Sequence, residues 1–223
     1  MKEHPILFSA PMVRALLAGR KTQTRRVVKP QPWDVTEEAA WKLWHNEPTP
    51  IPCPYGQPGD RLWVRETWHT SAEQAGVKPS RLLSEWGGHG LPPICYHADS
   101  ADNGCGSLAL SGGWDQRGRP SIFMPRWASR LTLELTSVRV ERVQAITEED
   151  ALQEGVDLAE WGDGYPDEDP REVGYPSAAA SLAHANTTYS RAFSRLWDSI
   201  NAARGYPWSA DPWVWVVGFR RAS

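Results

Sequence analysis

The pattern of apolar and polar positions predicts a chain that is mostly β-structure with a few helices. Residues 61–68 alternate, with Leu62, Val64 and Glu66 on one side of the predicted strand and Arg61, Trp63 and Arg65 on the other. Further strands are predicted at residues 6–8, near 94–97, at 121–143 and at 213–219. In the third of these, apolar and polar residues alternate from Leu131 onwards, which makes it the clearest β region of the chain.

Three segments carry helix signals. Pro11 suits a first helical turn and Gly19 suits the position after a helix end, so a helix is predicted between them. Thr147 and Asp150 have the spacing of a capping box, with Asp in place of Glu, and they predict a short helix ending at residues 154–155. A longer amphipathic helix is predicted from Thr187 or Thr188 to about residue 203.

This order of elements predicts an α+β fold, built on a small and strongly curved sheet or barrel. The repeated βαβ alternation of doubly wound and TIM-barrel folds is missing from the sequence. Residues 70–120 are rich in Gly and Ser, and residues 157–185 are first acidic and then rich in small residues. We therefore predict one domain over residues 1–223, with loop insertions at about 70–120 and 157–185.

Charge and composition narrow the function. The chain has 223 residues with 24 basic and 27 acidic side chains, so its net charge of −3 excludes a polybasic binder that holds nucleic acid by bulk charge. Thirteen tryptophans predict aromatic packing in a β-rich core, although tryptophan also stacks on bases. No apolar run reaches the roughly 20 residues of a membrane helix, and residues 1–5 lack a signal-peptide pattern. We expect a soluble, cytoplasmic protein with no membrane partner.

A metal site has weak support in the sequence. Cys95, His97 and Cys105 lie within a few residues of one another, but the paired C-x-x-C spacing of structural zinc sites is absent. The number of cysteines, three, also argues against a disulfide scaffold. We expect no metal and no cofactor.

The densest polar cluster is Gly19-Arg-Lys-Thr-Gln-Thr-Arg-Arg26, which directly follows the first predicted helix. It holds four cations and two hydroxyl groups between apolar segments, a set that binds phosphate or the polar edge of a base. A solvated charged surface is the competing interpretation.

At this cluster the sequence resembles the ASCH domain family, whose signature is Gly-x-Lys, four variable residues and Arg. Gly19, Lys21 and Arg26 occupy the fixed positions. The preceding helix, the Gly59-Asp60 turn, the β region around 129–143 and the closing Trp/Val strand fit the same family, over about half of the chain. The resemblance implies a PUA-like fold, a small curved β-barrel with flanking helices, and it extends to ASCH proteins of tailed phages and prophages.

Many family members have Glu at the third variable position, where this chain has Thr24. In that respect it is similar to the small bacterial ASCH enzymes that hydrolyse N(4)-acetylcytidine. The resemblance implies a catalytic set of Lys21, Thr24 and Glu154, with Glu154 in a matching Ala-x-Gln-Glu context. Thr24 would supply the attacking hydroxyl. Lys21 would act as a base if burial lowers its pKa, or would stabilise the oxyanion if it stays charged, and Glu154 would orient Lys21 or protonate the departing amine.

One geometric condition follows from strand periodicity. Positions 21 and 24 face opposite sides of a regular strand, so they share a site only if the chain bends between them. Three further residues are predicted to bind substrate: Arg26, which completes the signature, and Glu66 and Trp127. For Glu66 the alternative is a salt bridge to a nearby Arg, and for Trp127 it is core packing.

Three functions fit these features. The first is an amidohydrolase that removes the acyl group of N(4)-acylated cytosine nucleosides. The second is a non-catalytic PUA-like module that binds RNA or a modified base, and the third is a ribonuclease. The predicted partner is therefore a nucleoside or RNA, and the net charge of −3 favours the smaller of the two.

Overall fold

The computed structural model describes residues 1–31, 52–87, 90–99, 113–115, 117–161 and 188–222. Within these residues the strands are β1 (Glu3–Leu7), β2 (Gln23–Val27), β3 (Arg61–Arg65), β4 (Trp68–Thr70), β5 (Ile94–Tyr96), β6 (Thr132–Arg142) and β7 (Trp213–Arg221). The α-helices are α1 (Ala10–Leu17), α2 (Leu82–Glu85), α3 (Glu148–Gln153), α4 (Leu158–Trp161) and α5 (Thr188–Asn201). Among these helices, none combines the length and the apolarity needed to cross a bilayer.

The chain divides into two compact units. Unit 1 comprises Met1–Gly19, Tyr55–Leu135 and Arg220–Ser223, and unit 2 comprises Arg20–Pro54 and Thr136–Phe219. Strands β6 and β7 contribute residues to both units. This division leaves the single domain with two insertions as a prediction, and most of the second insertion, residues 162–185, lies outside the described residues.

Unit 1 contains a mixed sheet in the order β1-β3-β6. Strand β1 is parallel to β3, and β3 is antiparallel to β6 with Leu62 opposite Leu133. Helix α1 ends at Leu17, and Gly19 follows two residues later with a φ of +72°, a left-handed conformation that glycine adopts without strain. The predicted strand near residues 94–97 is β5, and it forms a separate antiparallel pair with β4.

Unit 2 contains the strand order β6-β7-β2. Strand β2 is antiparallel to β7, with Arg25 opposite Val216. Helix α5 packs its apolar stripe on this unit's core, where Phe193 and Trp197 meet Val214 and Val216 of β7. The predicted capping box is present, because Thr147 and Asp150 each bond to the other's backbone N–H at the start of α3.

Together the helices and the mixed sheet confirm the predicted α+β class. The pairings of the described strands do not form a closed ring, so the PUA-like barrel stays a prediction.

Two predicted strand boundaries are wrong. Residues 121–128 form two 3-10 turns and not β-structure, and β6 begins only at Thr132. Pro120 and Pro125 precede these turns, and proline lacks the N–H that a strand ladder needs. The strand predicted over residues 61–68 also breaks after Arg65, and the chain resumes as β4, paired with β5.

Candidate functional site

Strand β2 divides the polar cluster between two faces. Gln23 and Arg25 point towards α3, where their side chains bond to Asp150. Because successive residues of a strand face opposite sides, Thr24 and Arg26 lie on the other face of β2. Lys21, two residues before β2, shares the α3 side, since it contacts Glu154 just as Arg25 does.

Helix α3 lies opposite this face of β2, and local signals define where it begins and ends. Thr147 caps its first turn, and Gly155, with φ of +75°, follows its last residues. The backbone N–H of Thr22 donates to the Gln153 carbonyl at 2.9 Å, which holds the start of β2 against the end of α3. This contact places Lys21 directly beside Glu154.

Lys21 and Glu154 form a buried pair. The Lys21 side chain is 0% exposed and that of Glu154 is 3% exposed. The Lys21 Nζ donates to the Glu154 carboxylate Oε2 at 3.0 Å and to the Glu154 backbone carbonyl at 2.6 Å. Removing charges from water is costly, so such a pair persists only where its members bond to each other well.

Arg25 is the second cation of this cluster, and its side chain is also 0% exposed. Its guanidinium donates to Oε1 of Glu154 at 3.2 Å, to Oδ2 of Asp150 at 3.0 Å and to Oε2 of Glu141 at 3.4 Å. Arg139 of β6 completes the cluster by donating to Glu141 and, at 3.3 Å, to Asp150. Three cations thus face three carboxylates, and we call these six residues the β2–α3 ion cluster.

The environment changes the acidity of two members. Burial lowers the pKa of Lys21 below its ordinary value; the charge of Glu154 opposes this change, and the charges of Arg26 and Arg25 add to it. For Asp150, burial acts to raise the pKa but is outweighed by the hydrogen bond from Gln23 and the charge of Arg25, so the pKa is lowered. The lowered pKa makes the neutral amine of Lys21 easier to form than that of a solvated lysine.

Thr24 is buried on the opposite face of β2, where it pairs in register with Val217. Within the described part of the chain, the Thr24 hydroxyl has no hydrogen bond to another residue. Arg26 is half-buried on the same face and pairs in register with Trp215. The structure therefore brings Lys21 together with Glu154, and it places Thr24 with Arg26.

The other two predicted substrate-binding residues belong to unit 1. Both oxygens of Glu66 accept bonds from Arg130, at 2.9 and 3.0 Å, as the salt-bridge alternative proposed. Trp127 is half-buried and packs edge to face on Trp68, with ring centroids 6.5 Å apart. A substrate role for Glu66 and Trp127 stays a prediction.

The sequence signals for metal binding have no counterpart among the described residues, where no three His, Cys, Asp or Glu side chains form a cluster suited to a metal ion. Cys95 is disulfide-bonded, so its sulfur is not a free thiolate ligand, and Cys105 lies outside the described residues.

Sequence reasoning missed the role of Arg25, and with it Asp150 and Glu141. Arg25 appeared only as one of four neighbouring cations. The spacing of Lys21, Gln23 and Arg25 on alternate positions was the available signal, because it places all three on one face.

Comparison with known proteins leaves the family open. No protein-family profile matches this chain, and no curated protein matches its sequence. Among solved structures, a high-resolution crystal structure of the ASCH domain from Lactobacillus crispatus JV V101 is 14% identical, covering 99% of this chain and 79% of that one, with a TM-score of 0.33. At this TM-score the likeness does not establish a shared fold, and the family that the Gly19–Arg26 motif indicates stays a prediction.

Proposed function

We propose that this protein is an amidohydrolase that removes the acyl group from N(4)-acylated cytosine nucleosides. The observation that supports the proposal is the buried Lys21, whose amine is held by Glu154 and whose pKa is lowered by burial. A lysine in this state is neutral, and so able to accept a proton, at a lower pH than a solvated lysine.

The reaction consumes water and yields cytidine and acetate from N(4)-acetylcytidine. An attacking hydroxyl oxygen adds to the acetyl carbonyl carbon, while neutral Lys21 takes the hydroxyl proton. The carbon–nitrogen bond then breaks as this proton passes to the departing N4 amine. Glu154 keeps Lys21 in place throughout, which is one of the two roles that the family resemblance implies for it.

Two hydroxyl sources fit this scheme. If Thr24 attacks, an acetyl-Thr24 ester forms, and water hydrolyses it in a second step with Lys21 again as the base. If water attacks directly, no ester forms. The uncommitted Thr24 hydroxyl supports the first route, and the orientation of Thr24 away from the α3 side of β2 supports the second.

The direct test is release of cytidine from N(4)-acetylcytidine by the purified protein, followed by chromatography. We expect turnover by the wild type and by Lys78→Met, which alters an exposed lysine, and its loss in Lys21→Met. No cytidine release by the folded wild type would refute the proposal, as would full turnover by Lys21→Met. Thr24→Val distinguishes the hydroxyl sources, because it abolishes turnover only if Thr24 is the nucleophile.

A non-catalytic module that binds RNA or a modified base is the second candidate. The placement of Thr24 on the face of β2 opposite the Lys21–Glu154 pair favours it, because binding does not require these groups to meet. In that case the ion cluster is structural, and Arg26→Ala weakens the binding of cytidine or short RNA and reduces its salt dependence. Calorimetric titration at two salt concentrations, beside the turnover assay, separates the two functions.

A further inference from the structure

The carboxylate of Glu154 serves two cations at once. Its Oε2 accepts from Lys21 Nζ at 3.0 Å, and its Oε1 accepts from Arg25 Nη1 at 3.2 Å. All three side chains are at most 3% exposed, so water screens these interactions very little. Lys21 and Arg25 therefore share one buried carboxylate.

Arg25 is itself firmly anchored. Asp150 of α3 and Glu141 of β6 accept from its Nη2, and its Cζ lies 6.0 Å from the centroid of the Phe193 ring on α5. Asp150 in turn accepts a bond from the Gln23 side chain at 2.9 Å. Contacts from two helices and a strand thus hold the Arg25 guanidinium in place, in addition to its bond with Glu154.

We infer that Arg25 is a positioning residue: it holds the Glu154 carboxylate and limits how strongly Glu154 can retain a proton on Lys21. A nearby carboxylate favours the charged form of a lysine, whereas a second cation on the same carboxylate disfavours it. Arg26 is a further cation near Lys21 and acts in the same direction as Arg25. The inference rests on the proposed function only in so far as neutral Lys21 acts on a substrate.

The charge state of Lys21 can be followed without any turnover. The chain has five lysines, so the ε-carbon resonances of a ¹³C-lysine-labelled protein are few enough to assign, with Lys21→Arg identifying the Lys21 signal. We expect the Lys21 titration midpoint in Arg25→Met to lie about one pH unit or more above that of the wild type. Arg139→Met is the matched control, because Arg139 bonds to Glu141 and Asp150 but not to Glu154, and it should leave the midpoint nearly unchanged.

An equal Lys21 midpoint in Arg25→Met and in Arg139→Met would overturn the inference and leave Arg25 a purely structural residue. If Arg25→Met does not fold, Arg25→Lys provides the same test. One ammonium group cannot span three carboxylates, so a smaller upward movement is expected, and no movement would count against the inference. A shifted midpoint in a protein that hydrolyses no N(4)-acetylcytidine would refute the proposed function and still support the coupling.

Discussion

Two buried carboxylates of this protein are neutralised in different ways. In unit 1 a single guanidinium, that of Arg130, binds both oxygens of Glu66, and it also donates to Asp99 at 2.7 Å. In unit 2 the oxygens of Glu154 are divided between Lys21 and Arg25. The first arrangement satisfies the carboxylate with one permanently charged partner, and the second includes a partner that is able to lose its proton.

The pKa values of the groups around the two carboxylates also differ. Burial raises the pKa of Glu66 despite the opposing hydrogen bond from Arg130, and burial also raises the pKa of the neighbouring Tyr96 to about 12. The Cζ of Arg130 lies 3.9 Å from the centroid of the Tyr96 ring, so the guanidinium stacks on Tyr96 while it donates hydrogen bonds to Glu66. The partner of Glu66 is thus a guanidinium, which stays charged, whereas one partner of Glu154 is an amine whose pKa is lowered by burial. The pair in unit 1 therefore has a partner that stays charged, and the pair in unit 2 is the one to which the proposed function assigns catalysis.

The largest expected effect is on turnover. We expect Glu154→Gln to lower the kcat/KM for N(4)-acetylcytidine by roughly 10²–10⁴-fold, because Lys21 loses the carboxylate that orients it. Glu149→Gln on the same helix is the control, since Glu149 is exposed and bonds only to Gln153 among the described residues. If the Glu154→Gln protein keeps more than half of the wild-type kcat/KM, Glu154 is not needed to orient Lys21 for catalysis.

The next effect concerns stability in unit 1. We expect Glu66→Gln to lower the free energy of unfolding by ~3 kcal/mol, because it leaves the partly buried Arg130 without its main partner. Urea denaturation measures the loss, and Glu3→Gln, which breaks the exposed pair with Arg126, should cost less than about 1 kcal/mol. If the folded Glu66→Gln protein instead shows a raised KM, Glu66 has the substrate role that the sequence predicts.

A smaller effect is expected at the cap of α3. Thr147→Ala should lower the free energy of unfolding by about 1 kcal/mol, because the Asp150 N–H loses its acceptor. Thermal unfolding monitored by circular dichroism measures the loss. Thr147→Ser keeps the hydroxyl and should recover most of the stability, and equal losses in both variants would show that the capping bond contributes little.

The smallest effect appears in acid. The pKa of Asp150 is lowered in the folded protein. Its ionised form therefore stabilises the fold at pH values above 3.8, the pKa of this carboxyl group in the unfolded chain. This stabilisation is lost as the pH falls through the still lower folded-state pKa. The difference in unfolding free energy between wild type and Asp150→Asn should therefore narrow as the pH drops from 5 to about 2, as measured by urea denaturation. A constant difference would show that Asp150 contributes through packing alone.

The local parts of the fold were predictable from the sequence, because their causes are local. Alternation located β3, a continuous run of apolar residues located β7, the Thr147–Asp150 spacing located the start of α3, and Gly19 marked the end of α1. The β region predicted from residue 121 was wrong up to β6, because Pro120 and Pro125 redirect the chain into turns. Periodicity reports the faces of a strand but not its exact ends.

The candidate site was predictable only in part. The signature pointed to Lys21, and the resemblance to the N(4)-acetylcytidine hydrolases pointed to Glu154. These two residues lie 133 positions apart and do meet. Strand alternation also anticipated that Thr24 would face the other side of β2. The competition between Arg25 and Lys21 for one carboxylate depends on tertiary packing, and no local pattern specifies it. Likewise Arg130, 64 positions from Glu66, could be anticipated only as an unnamed partner.

The central claim is that neutral Lys21, held by Glu154, is the base of an amide hydrolysis. The most direct test compares two midpoints, the NMR titration of the Lys21 ε-carbon and the pH dependence of kcat/KM for N(4)-acetylcytidine. The account predicts that kcat/KM rises with pH and that its midpoint coincides with that of Lys21. If kcat/KM instead falls as the pH rises through the Lys21 midpoint, charged Lys21 stabilises the oxyanion. If kcat/KM does not change at this midpoint, Lys21 has no catalytic role.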